Sequence, residues 1–380
     1  MSDNFGSNNY DAYFKTLEEN LEKSKFNKTE TPERKTTIKT STGRRATKKR
    51  PKKGVYGVFR LRKSVLAIII VLIVIISAVL ILPGGKKGDK TADSQPKNIV
   101  ETTDEKETEI PKTIFSTTPD TTTIPASNDA KNVIIIDKRD NSIVAQRNAK
   151  KRAFPASTTK IMTLLTAVEH IVDYSHTFTM SYEITDPLFV EDASVAGFLN
   201  GEEVNMTDLL YGMILPSGAD AAMALAVHIA GSEENFVKLM NDKVTDLGLT
   251  DTHFDNVTGL HSENNYSTAY DMAIILDAAM QNPLCKEILS TYQYTTQVTP
   301  QHPEGILLSS TLFTYMYGTE PETATILGGK TGFVNESGYC IASFGTNNTT
   351  NNEYIVVTFG NSARMPAFFG QIDLYKQFVQ

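Results

Sequence analysis

Ser157-Thr158-Thr159-Lys160 places a hydroxyl and an amine three residues apart. A serine hydroxyl is a poor nucleophile unless a base lies within hydrogen-bond reach. On a helix, positions i and i+3 share a face, so Lys160 can lie beside the Ser157 hydroxyl. A lysine on a largely apolar helix loses charge through desolvation and can then serve as that base. Near a helix start, Ser157 also gains from exposed backbone N–H groups, which favour developing negative charge. The chemistry is attack on a carbonyl. The spacing alone arises by chance, as in Ser94-Gln95-Pro96-Lys97, so two further motifs carry the weight. Pro216-Ser217-Gly218-Ala219-Asp220 supplies a second hydroxyl, and Lys330-Thr331-Gly332 is the only K-T-G in the chain. Lysine and threonine can hold a substrate carboxylate, and glycine lets a backbone approach closely.

These residues need a scaffold. Lys160–Val168 is apolar on nearly every side, which predicts a short, central, buried helix opening just after Ser157. Val133–Ile136 and Ile143–Ala145 flank a polar turn and read as a hairpin. Helices are predicted at Ala219–Ala230, Glu233–Leu247 and Thr268–Met280, the last opening on Thr268-Ala269-Tyr270-Asp271, which is capping-box-like. Strands return at Thr325–Leu327, Tyr339–Phe344 and Tyr354–Gly360, before a closing helix from about Ala363 to Phe378. Lys330-Thr331-Gly332 follows the first of these, as on an edge strand bordering a cleft. Strands at both ends with helices between predict an α/β (α+β) domain whose central antiparallel sheet is formed by the N- and C-terminal segments.

The three motifs, in this order and spacing, resemble those of the penicillin-binding protein and serine β-lactamase superfamily. The branch they are most similar to is the low-molecular-mass serine D-alanyl-D-alanine carboxypeptidases of peptidase family S11. Pro155–Thr163, Leu215–Ala222, Phe254–Asp271 and Gly328–Cys340 carry the likeness, which covers about residues 130–380. The resemblance implies a β-lactamase/transpeptidase-like fold and a peptidoglycan stem pentapeptide as substrate. It makes Ser157 the nucleophile, Lys160 the general base and Ser217 a proton relay. It places the terminal carboxylate on Lys330 and Thr331 beside Gly332, and the oxyanion between the backbone N–H groups of Ser157 and Phe333. It also implies covalent trapping by β-lactams, with no metal and no cofactor.

One position departs from the family pattern. The second motif is usually Ser-x-Asn, and here Ala219 stands third. The missing amide removes a hydrogen bond worth about 0.5–1.5 kcal/mol, which slows catalysis without abolishing it. The same substitution motivates an alternative, a catalytically silent peptidoglycan-binding scaffold. A serine β-lactamase would need a deacylating carboxylate between the second and third motifs, and Asp246–Pro283 has no E-x-x-L-N-like element. The catalytic domain is expected to close at the final helix, without the C-terminal β-sandwich of many S11 enzymes. His261 is expected near the cleft in a structural hydrogen bond, and Cys285 and Cys340 as small core residues.

Charge sets the topology. The chain has 380 residues and a formal net charge of −7, but residues 1–64 hold 17 Lys and Arg against 7 Asp and Glu. Val65–Leu82 contains one polar residue, Ser77, over a length that spans a bilayer as a helix. The basic flank keeps residues 1–64 cytoplasmic, makes 65–82 a signal anchor and sends the rest outside. Residues 83–129, rich in Thr, Ser, Pro and charge, read as a disordered tether, and 130–380 as the catalytic domain. The expected partners are therefore the stem peptide, β-lactams and the cytoplasmic membrane. The basic run is a topology signal rather than a nucleic-acid arm. Two cysteines and six scattered histidines argue against a disulfide framework and a metal centre.

Overall fold

The computed structural model describes residues 113–380 apart from 317, 318 and 320, so the predicted cytoplasmic tail and membrane span lie outside the described residues. Asn132–Asp137 (β2) is buried along its whole length, the outcome of a β-branched run covered on both faces. Ile134 and Ile136 face one apolar cluster and Val133 and Ile135 the other, the two-residue alternation of a strand sandwiched between layers. Ser142–Arg147 (β3) pairs antiparallel with β2 as the predicted hairpin. Ala324–Val334 (β8), Gly338–Asn347 (β9) and Glu353–Asn361 (β10) complete the antiparallel sheet, β10 pairing with both β2 and β9. N- and C-terminal segments thus share one sheet, as expected.

The fold begins before the expected boundary at residue 130. Ser116–Thr123 (β1) joins the sheet as a parallel edge strand on β3, giving the order β1-β3-β2-β10-β9-β8. Its run of Thr, Ser and Asp is mostly exposed, so no buried pattern marks it. Phe115 and Ile124, at its two ends, are buried and pin it down.

The helical layer packs on one sheet face around Lys160–His170 (α1), whose first nine residues are all buried. Around it lie Tyr182–Val190 (α2), Met206–Ile214 (α3), Ala219–Ala230 (α4), Glu233–Asp246 (α5), Ala269–Gln281 (α6) and Pro283–Ser290 (α7). Asp271 N–H donates to Thr268 Oγ1 at 2.9 Å, the N-cap predicted for α6. Short antiparallel ladders pair Thr177–Thr179 (β4) with Glu203–Asn205 (β5) and Gln293–Thr295 (β6) with Leu307–Ser309 (β7). One turn, Phe313–Met316 (α8), precedes β8, and Arg364–Phe378 (α9) closes the opposite sheet face. Among the described residues no helix is long and apolar enough to cross a membrane, and no cluster could hold a metal ion.

Candidate active site

Ala156–Thr159 forms a 3₁₀ turn that runs into α1. With three residues per turn, positions i and i+3 eclipse, so Ser157 and Lys160 lie directly in line. Lys160 Nζ donates to Ser157 Oγ at 3.3 Å and to the Thr258 carbonyl at 2.5 Å. Burial brings the Lys160 ammonium down to about 7, with the Asp220 carboxylate opposing that fall. A neutral amine beside a hydroxyl has the geometry general-base chemistry requires. The turn presenting Thr258 is built by Asn256, whose Oδ1 accepts from the backbone N–H groups of Thr258 and Gly259.

Two glycines allow the elements to close on the nucleophile. A Cβ at Gly332 would sit 2.7 Å from the Ser157 nitrogen, and one at Gly259 (φ +80°) 2.0 Å from the Ala156 carbonyl oxygen. Ala156 itself has φ 48°, a left-handed conformation held in place by these contacts. Strand β8, the open edge of the sheet, thereby brings Lys330, Thr331 and Phe333 to the start of α1.

A cavity of about 720 Å³ opens here, lined by Ser157, Lys160, Ser217, Ala219, Thr331, Gly332 and Phe333 among others. Ser217 is buried with φ 69°, strained backbone that turns the chain between α3 and α4. Lys330 is fully buried and donates to the Thr331 carbonyl at 2.9 Å. Its ammonium is held well below the ordinary lysine value, first by burial and then by Lys160. A bound carboxylate would restore its charge. Thr331 shares a 2.7 Å hydrogen bond with Thr311. Phe333 is half-exposed and stacks on Tyr339. Six of the seven sequence-predicted residues therefore line one cleft, and Lys330 lies buried behind its wall, bonded to the Thr331 carbonyl.

Three contributors were not foreseen. Asp220 accepts from the backbone N–H groups of Ala196, Gly197 and Ala221, fixing the loop after α2 against the second motif. It stands in the quoted motif, and a carboxylate at a helix start was the available signal. Thr311 and the Thr258 carbonyl carry no comparable sequence mark. His261 lines the cleft as expected, its ring packing edge-on against Phe154 at 4.7 Å and its Nε2 lying 3.7 Å from Glu263 Oε1. Cys285 and Cys340 are free and buried.

A family model described as D-alanyl-D-alanine carboxypeptidase, peptidase S11, matches residues 118–363. The D-alanyl-D-alanine carboxypeptidase DacF of Bacillus subtilis is 31% identical over 236 residues, 62% of this chain and 58% of that one. The chain spans between 48% and 58% of the length of the first curated relatives it matches. The Streptomyces K15 DD-transpeptidase superposes with a TM-score of 0.59 at 26% identity, over 65% of this chain and 96% of that one. Penicillin binding protein 5 from Haemophilus influenzae gives 0.58 at 28% identity, over 68% and 71%. With its motifs gathered at one cleft on this mixed sheet-and-helix fold, the chain belongs to the S11 family of D-alanyl-D-alanine carboxypeptidases.

Proposed function

We propose that this protein is a membrane-anchored, extracellular serine carboxypeptidase that removes the terminal D-Ala from peptidoglycan stem pentapeptides. The observation supporting it most directly is Lys160 Nζ at 3.3 Å from Ser157 Oγ, with the lysine brought to about 7. Lys160 takes the Ser157 proton as Oγ attacks the penultimate D-Ala carbonyl. The oxyanion lies between the backbone N–H groups of Ser157 and Phe333. The terminal carboxylate rests on Lys330 and Thr331. Ser217, lining the same cavity, passes the proton to the departing amine, and D-Ala leaves. Water, deprotonated by Lys160, then hydrolyses the acyl-enzyme. Penicillin would stop the cycle at that ester. Residues 65–82 would anchor the chain with the N-terminus in the cytoplasm, and the segment after them would tether the domain outside.

Labelled penicillin tests the reaction. The purified chain gives a covalent adduct that Ser157→Ala abolishes. No adduct, or equal labelling of the variant, sinks the enzyme reading and favours the silent scaffold that Ala219 motivates. Mass spectrometry of products from a synthetic pentapeptide separates carboxypeptidase, endopeptidase and transpeptidase outcomes.

A further inference from the structure

From residue 130 on, the chain carries 14 Lys and Arg against 28 Asp and Glu, and seven of the 14 fall within 131–152. Folding gathers four of these, Lys131, Arg147, Lys151 and Arg152, around one cavity of about 520 Å³. Among the described residues none of the four has a carboxylate within ion-pair distance, since the ion pairs there use other cations. Two acids share the wall, Asp129 and Glu336. Asp129 is occupied by the Ser362 backbone N–H and hydroxyl. Concentrating positive charge in a concavity of an acidic domain focuses a local field for anions.

The fold fixes three of these cations. The Arg152 guanidinium lies 3.7 Å over the Tyr266 ring and donates to the Glu263 carbonyl. Arg147 donates to the carbonyls of Pro125, Asn128 and Ala130, still leaving its charge at the cavity wall. The Lys131 stem lies along Gly360 (φ +78°), where a Cβ would come within 2.9–3.1 Å of its carbons.

The cavity adjoins the cleft. Glu336 lines both, and Phe154 of the basic cavity packs against His261 of the cleft. With the terminal carboxylate at Lys330–Thr331 and the reacting carbonyl by Phe333, a peptide extended along the β8 edge has one direction. Its arm before the scissile bond leaves past Val334 toward the β8–β9 turn at 335–337, whose Glu336 and Ser337 rim the basic cavity.

We infer that this cavity is an anion subsite for the acyl-donor arm, taking a carboxylate borne a few residues before the scissile bond. The assignment rests on the carboxypeptidase reading for the direction of the peptide. It is tested with paired D-Ala-D-Ala-terminated peptides carrying either a carboxylate or a carboxamide on that arm. The full chain should favour the carboxylate about tenfold in kcat/KM, with the preference fading as salt rises. Lys131→Gln with Lys151→Gln should bring the ratio near one, and Lys131→Arg with Lys151→Arg should retain it. The ratio is internal to each protein, so a general loss of folded enzyme does not move it. Equal rates for the two peptides in the unmodified chain, or an unchanged ratio in the Gln variant, overturn the subsite. Calorimetric titration with the acidic arm lacking D-Ala-D-Ala reads the site without turnover. Binding of that arm several-fold tighter than its amide, with no peptide cleaved, keeps the anion site and overturns the reaction instead.

Discussion

Two buried lysines at the cleft set the pH behaviour at the residue scale. The base must be neutral, and Lys160 loses its proton near 7 instead of at the ordinary 10.5. Acylation by penicillin should therefore rise with pH through about 7 and level off above it. A rate still climbing at pH 9 would show a lysine that is not desolvated. Asp220 opposes the fall of Lys160, so Asp220→Asn should move that rising limb to lower pH, and stopped-flow acylation profiles of the two proteins measure the displacement. The same burial has a cost in stability. The folded state releases the Lys160 proton near 7 and the unfolded chain only near 10.5, so the unfolded state holds more protons between them. This group's contribution to stability thus improves as pH rises across that window and is least favourable below it. Lys160→Met should raise the melting temperature at pH 7 by on the order of 2–4 °C while abolishing the adduct, as calorimetry beside penicillin labelling would show. Ala219 sits in the cleft wall, buried, with its N–H donated to the Ser194 carbonyl at 2.8 Å. Restoring the family amide with Ala219→Asn should speed acylation about two- to tenfold, the worth of one hydrogen bond. An unchanged or slower rate would mean the surrounding packing has closed over the space.

Catalytic geometry at the element scale depends on β8 passing close to the start of α1. Gly332 permits that approach, since a Cβ there would meet the nitrogens of Ser157 and Thr158 at 2.7 and 3.0 Å. Those atoms are backbone and cannot swing aside. Gly332→Ala should displace the strand by a fraction of an ångström and lower acylation by about 10²-fold, with a melting temperature changed by only a few degrees. Near-normal acylation would show that the strand is free to shift. The residues involved here were legible in sequence because their types are scarce and their order is fixed: a lone K-T-G, a serine three residues before an apolar helix, and a second serine before α4. The central sheet was legible for a related reason. A run such as Val133–Ile136 buries both faces at once, and only a covered strand accommodates that. What escaped notice lacks any such chemistry. Helix α2 carries Pro187 and exposes Phe189 and Val190, so no stripe marks it. The Thr258 carbonyl is a backbone atom that any residue could supply, and only the fold of the Asn256 turn gives it a role.

At the scale of the whole molecule, the point where the Thr- and Pro-rich stretch becomes fold is physically testable. Composition places the change at residue 130, because Thr- and Pro-rich chain buries too little to order itself. The sheet extends earlier. Strand β1 pairs with β3 from Ser116↔Ser142 to Thr123↔Gln146, and the Thr121 and Thr122 hydroxyls also donate to the Ile143 and Val144 carbonyls, polar contacts that no apolar pattern marks. Phe115 and Ile124 are buried at its ends, and Phe115 exchanges two backbone hydrogen bonds with the Tyr270 hydroxyl. Residues 125–130 also supply the three carbonyls that hold Arg147, itself part of the basic cavity. Removing 113–129 would delete the buried Phe115 and Ile124 side chains, each contributing about 1.5–3 kcal/mol, and leave the β3 edge unpaired. Against a stability of about 5–15 kcal/mol that is a substantial loss. A fragment spanning 130–380 should melt on the order of 10 °C below one spanning 113–380 and should aggregate more readily through its open edge. Scanning calorimetry and light scattering on the two fragments decide the matter. Equal melting temperatures would mean that β1 is an ornament on the sheet and that the tether continues to residue 129. A large difference would mean that the fold begins before Phe115, about 15 residues earlier than composition places it.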